Sequence, residues 1–529
     1  MGKQLFYNGT ILTMEPELYV EAVLVEDGVI VSTGSREELE NMFSEEDERV
    51  DLKGKTLMPA FIDPHSHFSA YANSLLQVPL EECMTFEEII DKIRDFIKKN
   101  EVPAGKWIVA KGYDHNSLNE HAHPDCKVLS EAAPENPVMI QHKSGHVGVF
   151  NTMALERLGV TEETKAPAGG VIEKKDGKLT GYMEETAFMK YQKEVDMPSV
   201  EELMEAYKKT QEIYAAHGIT TIQEGMMVDQ MAPMYQALLQ SGMLKLDIVG
   251  YVDANSGGKL FEIFADHCKE YRGHFKIGGY KIFLDGSPQG RTAWMRTPYV
   301  GGDYYGYGTM TDEAVYAAVT RASAEGYQLL AHCNGDAASE QYLRACEDAV
   351  EHGAMSRAER PVMIHAQLVG VDQLPRVRQL GMIPSFFVAH VYHWGDVHIA
   401  NFGRERAAEI SPAASALQED ILFTFHQDSP VIEPDMLETV WCAAKRETKQ
   451  GVILGEMERV PVLEALKAVT IHGAYQYFEE DTKGSIQAGK RADFVVLDGN
   501  PLEVEVDDIR RLNVLATYKD GVKVYDAVQ

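Results

Sequence analysis

Basic residues are scarce in this chain. Fifty Lys and Arg stand against 82 Asp and Glu over 529 residues, a formal charge of −32 at pH 7. A surface of that sign repels phosphate backbones and anionic headgroups, which argues against nucleic acid and membrane as partners. Long apolar runs are missing as well, since no stretch approaches the roughly 20 residues that a membrane-spanning helix needs. The N-terminal residues show no basic segment followed by an apolar one, and Phe6 stands where myristoylation prefers Ser or Thr, so neither a leader nor a lipid anchor is expected. Cysteine is sparse and without paired spacing: Cys83, Cys126, Cys268, Cys333, Cys346 and Cys442 read as buried small hydrophobes of a reducing, cytoplasmic protein.

What the chain does have is apolar residues, 45% of the total, enough at this length for a large domain with a sizeable core. Short strand-like runs with Gly turns occur at both ends, such as residues 9–14 and 22–31 and, near the other end, 484–497 and 514–525. Chain termini often lie close together, so residues 1–56 and 479–529 are expected to form one composite β-sandwich domain. Residues 57–478 have another rhythm. Apolar runs at 218–224, 244–252, 275–285, 327–336, 361–369, 382–391 and 421–431 alternate with helical patterns such as 312–325 and 337–351. With the run ending at His67 they make eight βα units, which predicts an α/β fold of the (β/α)8 TIM-barrel type. Residues from about 75 to 200 are far too long for a βα loop and read as an inserted subdomain that caps the site.

Candidate chemistry gathers at the ends of these runs. In Pro59-Ala60-Phe61-Ile62-Asp63-Pro64-His65-Ser66-His67, the two histidines are two residues apart, so on a strand they share one face and can grip one metal ion. Lys281, His332, His365 and Asp428 end later runs in the same manner, and barrel enzymes keep their active sites at that end. Four imidazoles and a carboxylate suit Zn²⁺ or a similar divalent ion. A metal with an open position makes hydrolysis the default chemistry, with Asp428 placed to move the proton. Lys281 must be neutral, be paired with acids away from the metal, or be converted by CO₂ to a carbamate that ligates as an anion.

The motifs Pro59 to His67, Lys281-Ile282-Phe283-Leu284-Asp285-Gly286-Ser287 with Arg291-Thr292-Ala293, His332-Cys333-Asn334-Gly335-Asp336-Ala337-Ala338, His365-Ala366-Gln367, Asp428-Ser429-Pro430-Val431 and Gly484-Ser485-Ile486 with 489–495 stand in a recognisable order. In them the chain resembles the amidohydrolase superfamily, and within it the amidohydrolase 3 or YtcJ-like group that includes N-substituted formamide deformylases. The resemblance implies one or two Zn²⁺ ions, ligands at His65, His67, His332 and His365, a carboxylated Lys281 bridging the metals when two are bound, and Asp428 as ligand and acid/base. Ala60 replaces the group's usual Gly, and His426-Gln427 stand where Gly-Ser is commoner.

Four further residues are expected at the substrate: His146, Arg291, which has the geometry to bind a carboxylate, His390 and the inward-facing His426. Glu224 is expected to support a ligand from behind, and His115, His121 and His123, in a polar stretch beside Pro124, read as solvated loop. The reaction expected is hydrolysis of an amide, N-formyl or N-acyl C–N bond of a small molecule by metal-activated water. A deaminase or an ester or lactone hydrolase on the same barrel is the alternative, and a silent binding or regulatory protein is a third reading, which the full ligand set opposes. Large barrels often associate, which leaves a homo-oligomer open.

Overall fold

The computed structural model describes residues 2–527 except 43, 45, 46 and 257. The chain forms two compact units: one runs to Ser69 and resumes at Lys208, and the other is Ala70–Tyr207.

The centre of the first unit is an all-parallel sheet. Its strands are β1 (Phe61–Ile62), β2 (Ile219–Met227), β3 (Asp247–Asp253), β4 (Phe275–Phe283), β5 (Gln328–Cys333), β6 (Val362–His365), β7 (Ile383–Phe386) and β8 (Thr424–Phe425), hydrogen-bonded in that order. The strands are buried on both faces, as in Ile219–Met227, where only Met226 is partly exposed. Strands covered on both sides read as continuous apolar runs, which is why they show so clearly in the sequence. Beyond the strand ends, the Asp428 amide donates to the His65 carbonyl at 3.1 Å and the His67 amide to the Ser429 carbonyl at 2.8 Å. These two bonds join the segments that follow the first and last strands. The flanking helix Asp336–Glu351 buries Ala338, Tyr342, Ala345, Cys346 and Ala349, a spacing that lays one stripe against the sheet.

The chain termini pair with each other. Strands Val522–Asp526, Val514–Lys519, Phe494–Leu497, Thr56–Pro59, Lys3–Leu12, Tyr19–Glu26 and Val29–Gly34 form one sheet in that order, with Glu48–Asp51 also on Lys3–Leu12. The seam is antiparallel, with Phe494 opposite Pro59 and Val495 opposite Met58. Two hairpins turn on Asp-Gly, Asp27-Gly28 and Asp520-Gly521, and all four residues have positive φ, as a type I′ turn demands. The Phe6 ring lies 5.2 Å from both the Phe494 and the Tyr518 rings. Tyr518 is three strands away, about 14 Å in a flat sheet, so this sheet curls over its own apolar face.

The second unit has a six-stranded sheet in the order Gly170–Lys175, Lys178–Glu184, Val147–Phe150, Val138–His142, Ile108–Tyr113, Val78–Pro79. The last three strands are parallel. The helix Phe86–Lys99 begins at Thr85, whose side chain accepts from the Glu88 amide and so satisfies one of the free N–H groups of the first turn. No described helix is long and apolar enough to cross a membrane.

Candidate metal centre

Asp428 is the hub. It has positive φ, 55°, three residues beyond the end of β8, and its Oδ1 lies 3.3 Å from both His65 Nε2 and His67 Nε2, with His365 Nε2 4.0 Å from Oδ2. None of these contacts gives Oδ1 a hydrogen bond, and it remains a buried oxygen with no hydrogen-bond partner among the described residues. His65 and His67 reach it together because both follow β1 on one side of the chain. Close packing brings them there: a Cβ on Gly225 would fall 2.7 Å from His65 Cε1 and 2.8 Å from the Ser66 carbonyl.

The His65 tautomer is fixed. Gln223 donates its amide nitrogen to the Pro64 carbonyl at 2.6 Å and to Tyr477 Oη at 3.0 Å, so its Oε1, 2.5 Å from His65 Nδ1, has only acceptor character. Nδ1 therefore carries the proton, and Nε2 turns a lone pair toward the Asp428 carboxylate. Burial, reinforced by the charge of Lys281, lowers the His65 pKa to about 3, so no proton fills the gap at neutral pH. Burial alone would raise the Asp428 pKa, but contacts from His65 and His67 hold it well below the usual carboxylate range. Lone pairs converging on an ionised oxygen repel one another unless a cation stands between them.

His365 is held in the same sense. Its Nδ1 is 3.1 Å from His426 Nε2, and His426 Nδ1 is 3.0 Å from Ser385 Oγ. His426 has no accessible surface, which corrects the expectation of a substrate contact: strand alternation turns it inward, but behind His365. Lys281 Nζ is buried without a hydrogen-bond partner among the described residues, and burial lowers its pKa to about 7 against the raising effect of Asp428. The His332 ring is 4.6 Å from that of His365, but its Nδ1 faces Asp285 at 3.2 Å and its Nε2 faces Asn334 at 3.3 Å. Glu224 accepts from the Ser69 amide at 2.8 Å and from Tyr235 Oη at 2.7 Å, and pairs through its backbone with His67.

The other expected residues divide. His390 is buried, with Nδ1 3.1 Å from His398 Nε2. Arg291 is exposed, with Nη2 on the Val300 carbonyl at 2.6 Å and its guanidinium over Tyr299, and it makes no contact with the Asp428 cluster among the described residues. His146 belongs to the second unit, where it pairs with Glu185 at 3.1 Å, both side chains more than half exposed. His115 and His123 are not solvated loop: their rings stack 4.1 Å apart beside His142. Gln223, Asp285, Ser385 and His398 were not singled out in the sequence, although a Gln inside the apolar strand β2 and the Asp285 that closes the Lys281 run are visible signals.

With this geometry in hand, known proteins give a consistent comparison. An N-substituted formamide deformylase of Arthrobacter pascens is 29% identical over 530 residues, covering 96% of this chain and 95% of its own. The crystal structure of an uncharacterized metal-dependent hydrolase from Pyrococcus horikoshii OT3 superposes with a TM-score of 0.76 at 26% identity, over 96% of this chain and 99% of that one. Another described in the same words, from Pyrococcus furiosus, gives 0.75 at 25% identity, over 95% and 100%. The sequence model of the amidohydrolase family matches residues 48–525, and the chain belongs to that family.

Proposed function

We propose that this chain is a cytoplasmic, metal-dependent hydrolase that cleaves a C–N bond of a small molecule, of amide, N-formyl or N-acyl type. The observation that carries the reading is the buried Asp428 Oδ1, faced at 3.3 Å by two imidazole nitrogens and bonded to neither. That donor set fits a borderline divalent ion such as Zn²⁺. His65, His67, His365 and Asp428 would hold it, with His332 and Lys281 joining when a second ion is bound. Lys281 suits that role as a buried amine without a hydrogen-bond partner among the described residues, which CO₂ converts to an anionic carbamate. Two backbone bonds between the segments that follow the first and last strands support a closed (β/α)8 barrel, and the curl of the terminal sheet supports a sandwich.

Bound there, a divalent ion supplies Lewis acidity: it acidifies water and polarises a carbonyl. Asp428 takes the proton from the attacking water and returns it to the departing amine. His398 Nδ1 is buried without a hydrogen-bond partner among the described residues, and a lone pair is tolerated there better than an N–H. His398 Nε2 then donates to His390 Nδ1, which leaves the His390 Nε2–H as a donor for the substrate oxygen. The similarity to an N-substituted formamide deformylase supports the choice of bond. The test is a screen of Zn²⁺-loaded protein against N-formyl and N-acyl amines and amino acids. Turnover of one of these classes that is lost on chelation and in Asp428→Asn is expected, whereas activity confined to aminated heterocycles would replace the reading with a deaminase.

A further inference from the structure

The second unit holds another group of donors that the proposed reaction does not use. Strands Ile108–Tyr113 and Val138–His142 are parallel neighbours, with Tyr113 opposite His142. Asp114 and His115 follow the end of the first strand, and His142 is the end of the second. His115 Nδ1 lies 3.2 Å from His142 Nε2, and Asp114 Oδ1 lies 3.5 Å from His142 Nε2 and 3.8 Å from His115 Nδ1. We propose that Asp114, His115 and His142 form a separate divalent-metal site, suited to Zn²⁺, at these strand ends.

The distances carry the case. Three ligands of a tetrahedral Zn²⁺ at about 2.05 Å are separated by about 3.3 Å. A triangle with the observed sides has its equidistant point about 2.0 Å from each corner, so an ion fits among the three donor atoms where they stand. Asp114 and His142 are nearly buried and His115 is about one-third exposed, which leaves one side open for entry and for a water as fourth ligand. The environment supports these residues. His123 stacks on His115 and its Nδ1 is 2.9 Å from Tyr113 Oη, while the amide and side chain of Asn116 both donate to Asp114 Oδ1.

Two groups have to adjust. Lys143 pairs with the other oxygen of Asp114, but its side chain is mostly exposed and swings into water when a dication neutralises the carboxylate. His142 Nδ1 faces the Ser144 amide at 3.1 Å and Ser144 Oγ at 2.9 Å. Without metal, the amide donates to Nδ1, and the ring proton sits on Nε2, directed at His115. With metal, that proton moves to Nδ1 and is donated to Ser144 Oγ, the outer hydrogen bond that a ligating histidine needs. The ring stays neutral throughout and no proton is lost. Such an ion would clamp two strand ends and the 114–124 loop.

The test uses full-length protein stripped with chelator, reloaded with excess Zn²⁺, freed of unbound metal and assayed for Zn²⁺ per chain. His115→Asn with His142→Asn should retain one equivalent fewer than the parent. His65→Asn with Asp428→Asn should keep that equivalent, which separates this site from the proposed catalytic one. Reloading with Co²⁺ adds a spectroscopic reading, since the second-unit variant should lose part of the visible absorption that the other keeps. Should the double variant fail to fold, His115→Ala decides, because that side chain is partly exposed; it should weaken Zn²⁺ retention at least tenfold with an unchanged melting profile. Equal Zn²⁺ content and affinity in the parent and in His115→Ala overturn the proposal.

Discussion

Replacing His426 tests the tautomer logic of the metal centre directly. His426 touches no solvent, and its Nε2 is the partner of His365 Nδ1. With Ser385 Oγ at its far nitrogen, the chain of bonds runs Ser385, His426, His365, and it presents the His365 Nε2 lone pair to the Asp428 side. In His426→Ala the His365 ring loses that restraint and its Nδ1 is left unpaired in a buried place. Loss of an outer hydrogen bond to a ligating histidine weakens metal affinity about 10- to 100-fold, roughly 1.4–2.7 kcal/mol. The cavity and the lost bond also cost about 1–3 kcal/mol of fold stability, so affinity is measured well below the melting transition. The assay is competition for Zn²⁺ against a chromophoric chelator, with thermal melts of the chelator-treated protein as the control. His426→Gln, which keeps an acceptor near Nδ1, should recover part of the affinity. A Zn²⁺ affinity in His426→Ala within twofold of the parent, in a folded protein, refutes the assignment of His365 and its partner.

Further outcomes follow from the same geometry. Asp428→Asn should lower kcat about 10²- to 10⁴-fold in assays with whichever acyl amine the screen identifies. Gly225→Ala should displace the His65 and His67 segment, because its methyl would lie 2.7 Å from His65 Cε1; at least a tenfold loss of Zn²⁺ affinity is expected, and an unaltered affinity would show that the pair has slack. The lowered Lys281 pKa means the neutral amine that reacts with CO₂ grows as pH rises through about 7. Labelled bicarbonate incorporation should therefore rise from pH 6 to pH 8 and vanish in Lys281→Ala. At the opposite end of the strands, Lys483 is buried with Nζ 2.5 Å from Asp247 and 2.7 Å from Glu479. Lys483→Met leaves two buried carboxylates short of a cation and should cost about 3–5 kcal/mol, read as a fall in the denaturation midpoint.

How far the sequence reveals this site depends on how local each signal is. His65, His67, His365 and Asp428 end or follow apolar runs of a sheet buried on both faces, so run ends predict which side chains meet, and the order of the runs predicts the order of the strands. His426 shows the limit. Strand alternation correctly turns it inward, yet alternation does not distinguish a side chain lining a cavity from one packed behind a ligand, and that choice is made by Ser385 on the adjacent strand. Arg291 shows another limit, because its guanidinium is directed by the Val300 carbonyl and the Tyr299 ring, neither of which any strand pattern places. His115 and His123 look solvated because the residues around them are polar. What partly shields them is His142, 27 residues beyond His115, and only the register that sets Tyr113 opposite His142 brings them together. A parallel pair always joins residues far apart in sequence, so a site built across two such strand ends leaves no short motif to read. Metal-compatible residues in polar stretches are therefore better judged by the strand end they follow than by the composition around them.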